Sequence, residues 1–296
     1  VKNFFQTPSI LRRLFYGEIH GIERTRINLR VLDQKALEEY GRLLQGTDLD
    51  ASQHGACVAA YERCVTFVQG PPGTGKTGWA AKTLELLYKI KAFERMQRSS
   101  TEEELPMLAV APTHIAVDTL LEGVLNVAED IKLKRFGKLL ARKVNDKHKA
   151  RVLPKSLEHL SKEDVGVYRS EAKSAHLLFG TIGGALLPSS LPVRWYSTVV
   201  VDEAAQAIEP EMLPLLLMLM ETSRFVSVGD PDQLGAVVRQ EYLRQFDRSL
   251  MARALHIPGM VVELLTLNYR SHPSFFSFSS RYIYGGALFV GGSIIR

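Results

Sequence analysis

A glycine-rich octapeptide at residues 70–77, Gly-Pro-Pro-Gly-Thr-Gly-Lys-Thr, constrains the fold of this chain more than any other feature. Glycine, four residues and Gly-Lys-Thr form the pattern of a loop that binds phosphate between a strand and a helix. The flanks fit this pattern, because Val65–Gln69 predicts a buried strand and Thr77–Leu87 predicts a helix. Glycines let successive backbone N–H groups turn toward an anion, and the helix N-terminus adds partial positive charge. The sequence therefore predicts an α/β domain that binds a nucleoside triphosphate.

Two side chains of this loop and an acidic pair farther along the chain indicate the chemistry. In such loops the lysine, here Lys76, contacts the β- and γ-phosphates, and the hydroxyl of Thr77 ligates Mg²⁺. Three valines at residues 199–201 predict a strand that ends at Asp202 and Glu203. We expect Asp202 to bind Mg²⁺ and Glu203 to accept a proton from the water that attacks the γ-phosphate. An acidic cap on the helix that follows is compatible with this interpretation.

A third loop, Gly229–Leu234, follows the next predicted strand, Phe225–Val228. Because the carboxyl ends of parallel strands lie at one edge of a sheet, we expect this loop to face the same nucleotide. The amide of Gln233 is neutral, so it is able to donate to a γ-phosphate oxygen and to accept from the attacking water. Read without its neighbours, the Gly-Asp-Pro-Asp sequence of this loop is also typical of a plain turn.

Short β-branched runs alternate with amphipathic stretches along most of the chain, which predicts an α/β fold with a parallel sheet between layers of helices. The predicted strands are Val65–Gln69, Met107–Ala111, His176–Gly180, Thr198–Val201, Phe225–Val228 and Val261–Leu267. The predicted helices between them are Lys76–Lys91, Ile115–Val127, Ile208–Met220 and Glu241–Leu255.

Two segments do not follow this alternation. Residues 1–48 are charged and mostly helical in pattern, especially Asp33–Leu44, so we expect a helical flank or the remnant of a preceding domain. Residues 128–174 have helical spacing and no strand candidate, so we expect a helical insertion in a nucleotide-binding domain that spans residues 49–296. The first residue is Val1 rather than Met, which indicates a fragment.

The predicted insertion carries a local positive charge. Between Lys132 and Lys155 there are ten basic residues and one acid, Asp146, although the whole chain has a net charge of only +5. The ten are Lys132, Lys134, Arg135, Lys138, Arg142, Lys143, Lys147, Lys149, Arg151 and Lys155. A positive patch of this kind is typical of contact with a polyanion, and a solvated helix face is the alternative.

Composition excludes several other classes of protein. The chain is 46% hydrophobic and 23% charged, which is too apolar for a disordered chain. Its longest apolar stretch, Leu215–Met220, is far shorter than the roughly 20 residues of a membrane-spanning helix, and no secretory signal opens the sequence. Cys57 and Cys64 are too few for a disulfide scaffold or zinc ribbon, and the histidines lack ligand spacing. We expect an intracellular protein, cytoplasmic or nuclear, without a membrane partner.

Six motifs, taken in order, resemble those of superfamily 1 helicases. They are Gly70–Thr77, Ala111–Asp118, Gly180–Ala185, Asp202–Gln206, Gly229–Leu234 and Asn268–Pro273. Together they look like the first RecA-like domain of the 5′-to-3′ branch that includes the nonsense-mediated decay helicase and senataxin, over about residues 49–288. The resemblance implies a RecA-like P-loop NTPase that uses ATP and Mg²⁺ and binds single-stranded RNA or DNA. The second RecA-like domain of this family, expected in cis in a complete protein, has no counterpart in the chain.

The resemblance also implies a nucleotide site beyond the octapeptide. Gln53 resembles the glutamine that reads adenine, Tyr269 the aromatic residue that stacks on it, and Arg270 the arginine that neutralises γ-phosphate charge. The family has Gln where this chain has Asn268 and Met where it has Ser271, and the first change affects the detail of nucleotide contact. The predicted nucleotide-binding residues are Gln53, Gly70, Pro71, Pro72, Gly73, Thr74, Gly75, Lys76, Thr77 and Tyr269. The predicted catalytic residues are Lys76, Glu203, Gln233 and Arg270.

Further residues resemble the family's nucleic-acid contacts. Gln206 resembles a link between hydrolysis and the nucleic-acid side. Thr113 and Thr181, each at the exit of a predicted strand, resemble hydroxyls that hold the phosphates of a single strand. Both threonines are also good helix caps, which is the structural alternative.

The predicted function is that of the first motor domain of an ATP-dependent helicase or translocase. We expect slow ATP hydrolysis without the second domain, because an arginine supplied in trans is worth about 10³–10⁵ in rate in related phosphoryl-transfer enzymes. Two alternatives remain. Another P-loop ATPase or a nucleotide kinase would have no use for Gln206 and Gln233 together with the Tyr269-Arg270 pair. A non-catalytic nucleic-acid-binding module would tolerate loss of the intact phosphate and metal residues, and the choice between RNA and DNA stays open.

Overall fold

The computed structural model describes residues 33–98, 104–128, 130–137, 151–157, 165–187, 191, 195–238, 247–257 and 259–291. The part of the predicted flank before residue 33 lies outside these ranges. So do five members of the basic run, Lys138, Arg142, Lys143, Lys147 and Lys149, and the start of the predicted helix Glu241–Leu255.

A parallel sheet forms the centre of the described structure. Its strands in chain order are β1 (Val65–Gln69), β2 (Met107–Ala111), β3 (Leu133–Arg135), β4 (Leu177–Thr181), β5 (Tyr196–Val201), β6 (Leu219–Gly229) and β7 (Val262–Leu264). Across the sheet the order is β3-β4-β2-β5-β6-β1-β7, and each pairing is parallel. Two short strands, β8 (Leu267–Asn268) and β9 (Phe289–Val290), form a separate parallel pair. The α/β fold with a parallel sheet is confirmed.

The described helices connect these strands. They are α1 (Gln34–Gln45), α2 (Ala51–Glu62), α3 (Lys76–Arg98), α4 (His114–Val127), α5 (Val165–Lys173), α6 (Ile182–Ala185), α7 (Glu209–Leu216), α8 (Leu250–Ala254) and α9 (Pro273–Tyr282). Asp33 and Asp50 cap α1 and α2 by accepting hydrogen bonds from backbone N–H groups of the first turn. None of the described helices combines the length and apolar character that crossing a bilayer demands.

Alternate residues of the strands point to opposite faces of the sheet, so the hydrophobic core has two layers. In β1, Val68 belongs to the cluster that contains Trp79 of α3, whereas Phe67 packs in the opposite cluster with Phe225. Both layers lie around a strand whose residues are buried throughout. Helices cover both faces of the sheet. Because the strands are parallel, their carboxyl ends and the loops after them lie at one edge of it.

The structure corrects several boundaries predicted from the sequence. The strand predicted over Val261–Leu267 is divided into β7, Val262–Leu264, and the start of β8, which belongs to a separate sheet. The helix predicted over Ile208–Met220 ends at Leu216, and Leu219 already begins β6. Here Leu219 pairs with Tyr196 of β5, and the register shifts before Thr198 pairs with Arg224. The apolar run was compatible with a helix, but pairing with a neighbouring strand determined its conformation.

The prediction that residues 128–174 lack a strand is wrong at β3. This strand pairs in parallel with β4, and Leu133 lies opposite Leu177. Arg135 is fully buried rather than part of a basic surface. Its charge is paired inside the protein, because its Nε donates to Asp118 Oδ1 at 2.5 Å. Lys134 pairs with Glu171 at 2.6 Å. The described part of the basic run is thus partly neutralised and partly buried.

Candidate nucleotide site

The glycine-rich loop joins the buried end of β1 to the first turn of α3, as the sequence predicted. Gly73 and Gly75 have positive φ angles of 84° and 79°, which only glycine adopts without strain. Inside the loop, Thr74 is buried and donates through both Oγ1 and its backbone N to Pro71 O, at 2.7 and 3.2 Å. These contacts give the loop a defined curve before any ligand binds.

Lys76 lies over this loop. Its Nζ donates to the carbonyl oxygen of Gly70 at 2.8 Å. The ammonium group is thus already held above the concave side of the loop by a neutral acceptor. An anion that enters the loop offers a stronger, charge-assisted acceptor at little conformational cost.

Thr77 and Asp202, both predicted from the sequence to bind Mg²⁺, lie in contact in the structure. Thr77 Oγ1 donates to Asp202 Oδ2 at 3.0 Å, although the residues are 125 positions apart. Asp202 is 1% exposed, and its Oδ1 accepts from the backbone N of Glu203 at 2.9 Å. The first turn of α3 and the end of β5 therefore share one polar centre.

The chemistry of this centre suits a hard divalent cation. Burial raises the pKa of Asp202 to about 6, the charge of Glu203 adds to this rise, and the bond from Thr77 opposes it. A buried carboxylate that is costly to ionise gains most from a nearby cation. Among the described residues no three His, Cys, Asp or Glu side chains are grouped as metal ligands. A cation here would therefore take Thr77 and Asp202 as ligands and complete its shell with phosphate and water oxygens, as Mg²⁺ does.

Glu203 has an unusual backbone. Its φ of 51° and ψ of 37° place it in the left-handed region, the one such non-glycine residue in the described chain. The next three residues, Ala204–Gln206, form a single 3-10 turn. Gly229, at the end of β6, lies so close to this turn that a Cβ there would be 2.8 Å from the backbone N of Ala205. The loop after β5 is thus held against β6, and a side chain at Gly229 would displace it.

Gln233 lies in the loop after β6, between the loops that follow β1 and β5, because β6 separates those strands in the sheet. Its Nε2 donates to Asp230 Oδ2 at 2.5 Å. Asp230 is 1% exposed and also accepts from Gln69 Nε2 at 3.1 Å, which joins this loop to the end of β1. The sequence does not indicate this role of Asp230, because an aspartate in a Gly-Asp-Pro-Asp sequence is also typical of a turn.

The segment after β8 packs against the glycine-rich loop. Asn268 Nδ2 donates to Pro72 O at 2.7 Å, and Asn268 Oδ1 accepts from the backbone N–H groups of Arg270 and Ser271 at 2.9 and 2.8 Å. The backbone N of Tyr269 donates to Gly73 O at 2.8 Å. Asn268 is buried, so the position that departs from the family pattern fastens this segment to the loop. The sequence alone shows that Asn268 replaces the family's Gln, but it does not indicate this structural role.

Gln53 and Tyr269 lie on the same side of the loop and share one partner, Asp50. Gln53 is buried, and its Nε2 donates to Thr74 O at 3.1 Å while its Oε1 accepts from the backbone N of Asp50 at 3.2 Å. The Tyr269 hydroxyl donates to Asp50 Oδ2 at 2.7 Å. Burial raises the pKa of Asp50, but hydrogen bonds from Ser52, Tyr269 and the backbone outweigh it and hold the pKa below its usual value. In this arrangement both ends of the Gln53 amide are occupied by the protein itself.

Two predicted residues, Arg270 and Gln206, lie at the surface. The guanidinium of Arg270 has no partner among the described residues, whereas its backbone N is fixed by Asn268. Arg270 is therefore anchored next to the glycine-rich loop with its charged group exposed to solvent.

Thr113 and Thr181 are the N-caps of α4 and α6 in the structure. Thr113 Oγ1 accepts from Ala116 N at 3.2 Å, and Thr181 Oγ1 accepts from Gly184 N at 3.1 Å. Thr113 follows β2 and Thr181 is the last residue of β4, so both lie at the edge of the sheet that holds the nucleotide site, on the side of β5 away from β1. The capping alternative is thus observed for both threonines.

Comparisons with known proteins find a matching family model and curated relatives. A family model described as an AAA domain, AAA_11, matches residues 48–165 and 141–241. The chain is 30% identical over 278 residues to the ATP-dependent helicase upf1 of Schizosaccharomyces pombe, covering 81% of this chain and 28% of that protein. It is 28% identical over 287 residues to the DNA-binding protein SMUBP-2 of Mus musculus, covering 81% of this chain and 27% of that protein.

A solved arterivirus helicase, nonstructural protein 10 in complex with DNA, is 16% identical, with a TM-score of 0.46 over 84% of this chain and 45% of that chain. The chain spans less than a third of the length of the two curated relatives.

Proposed function

The chain belongs to the AAA domain family AAA_11 and to the superfamily 1 helicases around the nonsense-mediated decay helicase. From this premise we propose that it forms the first motor domain of an ATP-dependent helicase or translocase. The observation that carries the proposal is the 3.0 Å contact between Thr77 Oγ1 and Asp202 Oδ2. It supports a shared site for the phosphates and their cation at the junction of β1, β5 and β6.

In this proposal the nucleotide lies along the glycine-rich loop. The backbone N–H groups of the loop and the start of α3 bind the phosphates, and Lys76 exchanges Gly70 O for the β- and γ-phosphate oxygens. Tyr269 stacks on the adenine, and Gln53 reads its edge after releasing one of its present partners. Asp50 supports this side of the site, because it holds both the start of α2 and the Tyr269 hydroxyl.

Hydrolysis in this proposal uses the acidic pair and the loop after β6. Thr77 and Asp202 would hold a magnesium ion, which would supply positive charge to neutralise the phosphates. Glu203 accepts the proton of the attacking water, and its left-handed backbone supports a fixed placement of its carboxylate. Gln233 orients that water and donates to the γ-phosphate. Arg270, whose guanidinium is exposed, neutralises charge from the open side of the site.

The nucleic-acid track in this proposal lies along the ends of β2 and β4. The hydroxyls of Thr113 and Thr181 contact phosphates of a single strand, next to helix N-termini that favour anions. Lys155 lies next to the bridge between Ser156 and Arg135 at the carboxyl end of β3, so it adds a sequence-independent, salt-dependent attraction. Lys132 precedes β3 beside His176, at the opposite edge of the sheet, and Arg151 is bonded to Asn126 of α4. A second RecA-like domain in a complete protein supplies the other wall of the ATP cleft and the trans-acting arginine.

An ATPase measurement on the 296-residue chain tests the catalytic proposal. Wild type is expected to bind ATP in the presence of Mg²⁺ and to hydrolyse it slowly, because in this proposal a second RecA-like domain supplies the other wall of the cleft and its arginine. Glu203→Gln is expected to bind ATP as wild type does and to lower turnover by about 10²-fold or more, because the general base is lost. Equal turnover by wild type and Glu203→Gln would remove Glu203 from this role, and rapid turnover stimulated by nucleic acid would refute the need for a second domain.

A binding measurement separates the helicase proposal from its alternatives. Affinity for single-stranded RNA and DNA is measured across a salt series, with and without a non-hydrolysable ATP analogue. We expect affinity that falls with salt and changes with the analogue. Nucleic-acid binding without any ATP binding would favour a non-catalytic module, and ATP binding without nucleic-acid binding would favour another P-loop enzyme. The same series decides between RNA and DNA.

A further inference from the structure

The carboxylate of Asp230 lies in a buried hydrogen-bond network and has no role of its own in the proposed reaction. Its Oδ1 accepts from Gln69 Nε2 at 3.1 Å and from the backbone N of Asp232 at 3.3 Å. Its Oδ2 accepts from Gln233 Nε2 at 2.5 Å and from the hydroxyl of Tyr284 at 2.7 Å. Since Asp230 is 1% exposed, these donors replace water and determine how the carboxylate is oriented.

Asp230 determines which end of the Gln233 amide faces the protein. A carboxylate accepts hydrogen bonds and does not donate, so the NH₂ group of Gln233 must face it. The carbonyl oxygen and the second N–H of this amide have no partner among the described residues. In the proposed reaction, the carbonyl oxygen accepts from the attacking water, and the second N–H donates to the γ-phosphate.

Tyr284 reaches this carboxylate from a distant part of the chain, 54 residues away. Its ring is buried with Phe276 and Leu288, and its backbone N donates to Ser279 O at the end of α9. Burial and the nearby Asp230 carboxylate raise the pKa of Tyr284 well above its ordinary value, so the hydroxyl remains a donor at neutral pH. The packing of the ring and the backbone bond to Ser279 O thus fix the position from which the hydroxyl donates to Asp230.

We propose that Tyr284 is a positioning residue that holds Gln233, through Asp230 Oδ2, in the orientation that contacts the γ-phosphate. The inference rests on the proposed ATP site, because it concerns support for a contact that only the triphosphate makes. The side-chain torsion of an aspartate carboxyl is broad, so without the hydroxyl the carboxylate turns more freely. Gln233, on an exposed loop, then loses the fixed partner that orients its amide.

Affinities for ATP and ADP, measured with Mg²⁺ on the full chain, test this inference. Tyr284→Phe keeps the buried ring and removes the hydroxyl alone. We expect about three- to tenfold weaker ATP binding and unchanged ADP binding, because a hydrogen bond to a charged group supports only the γ-phosphate contact. Tyr282→Phe is the matched control: this tyrosine lies two residues earlier, is 68% exposed, and is expected to leave both affinities unchanged.

A double-mutant cycle separates positioning from general packing. Gln233→Ala is expected to reduce the preference for ATP over ADP, and Tyr284→Phe in that background is expected to reduce it no further. Thermal unfolding shows whether each variant is folded, and Asp230→Asn, expected to lose the same preference, serves as the second variant should Tyr284→Phe unfold. Additive effects, equal weakening of ATP and ADP, or a wild type without preference for ATP would overturn the inference. A wild type that binds neither nucleotide would overturn the proposed function instead.

Discussion

The hydroxyl of Thr77 donates to the carboxylate of Asp202 across 3.0 Å and 125 residues of sequence. This contact joins the helix after the glycine-rich loop to the end of β5. In the sheet, β6 lies between β5 and β1, and the loop after β6 carries Gln233. A second set of contacts closes the site from the other side, since Asn268 is bonded to Pro72 O. Two distant parts of the chain, the end of β5 and the segment that contains Asn268, therefore hold the phosphate loop.

The free energy of unfolding of the metal-free protein is expected to depend on pH through Asp202. Its pKa of about 6 in the folded protein lies above the ordinary value of 3.8, so between these values the folded state binds more protons than the unfolded state. The contribution of Asp202 is therefore fully present below the ordinary pKa and is lost as the pH rises toward 6. Urea unfolding in a chelating buffer, at several pH values from roughly 4 to 7, measures this slope. Asp202→Asn is expected to flatten it, and an equal slope in the variant would contradict this assignment.

Gly73→Ala is expected to destabilise the glycine-rich loop. Its φ is 84°, and a Cβ there would lie 2.8 Å from Asn268 Nδ2 and 2.9 Å from Arg270 Cβ. The strain and the displaced segment predict a loss of about 1–3 kcal/mol in unfolding free energy and weaker ATP binding. Gly41→Ala is the control, because Gly41 lies inside α1 with open space around it and the change predicts a gain of roughly 0.5–1 kcal/mol. Urea unfolding compares the two, and a Gly73→Ala variant as stable as Gly41→Ala would count against the proposed packing.

Asn268→Asp is expected to weaken the attachment of the last described segment to the loop. The change keeps Oδ1, which accepts from two backbone N–H groups, and loses the donor to Pro72 O. A carboxylate oxygen then faces a carbonyl oxygen, so we expect a loss of about 1–3 kcal/mol in unfolding free energy and weaker nucleotide binding. Asn268→Ala removes all three bonds and serves as the reference for the full effect. Unchanged stability of Asn268→Asp would mean that the bond to Pro72 O contributes nothing.

Thr113→Asp separates helix capping from nucleic-acid contact. Aspartate is a good N-cap, so α4 is expected to keep its stability, whereas its charge repels a phosphate near the hydroxyl position. Affinity for single-stranded nucleic acid is therefore expected to fall about tenfold with little change in unfolding free energy. Thr119→Asp, at an exposed site farther along α4, adds the same charge away from the N-terminus. Equal losses of affinity in both variants would point to net charge rather than to contact at Thr113.

Local sequence patterns predicted most of the strands, and two of them to the residue. β1 and β2 have the bounds that their apolar runs indicate, because each run is buried on both faces and ends at a loop residue. Short elements escaped notice: β3 is only three residues long and contains Lys134 and Arg135, which read as a charged surface. The extra pairing with β4 made this segment a strand.

The sequence alone determined the chemistry that is available, because the glycine spacing, Lys76, Thr77 and the acidic pair after three valines are local patterns with local causes. It also indicated that the loops after parallel strands share one edge. Only the tertiary structure decided which polar groups form hydrogen bonds with each other. The pairs are Gln53 with Thr74 O, Asn268 with Pro72 O, Tyr284 with Asp230, and Arg135 with Asp118. Each of these contacts joins separate elements, and strand order and burial, which depend on the whole packed chain, place their partners within hydrogen-bond distance.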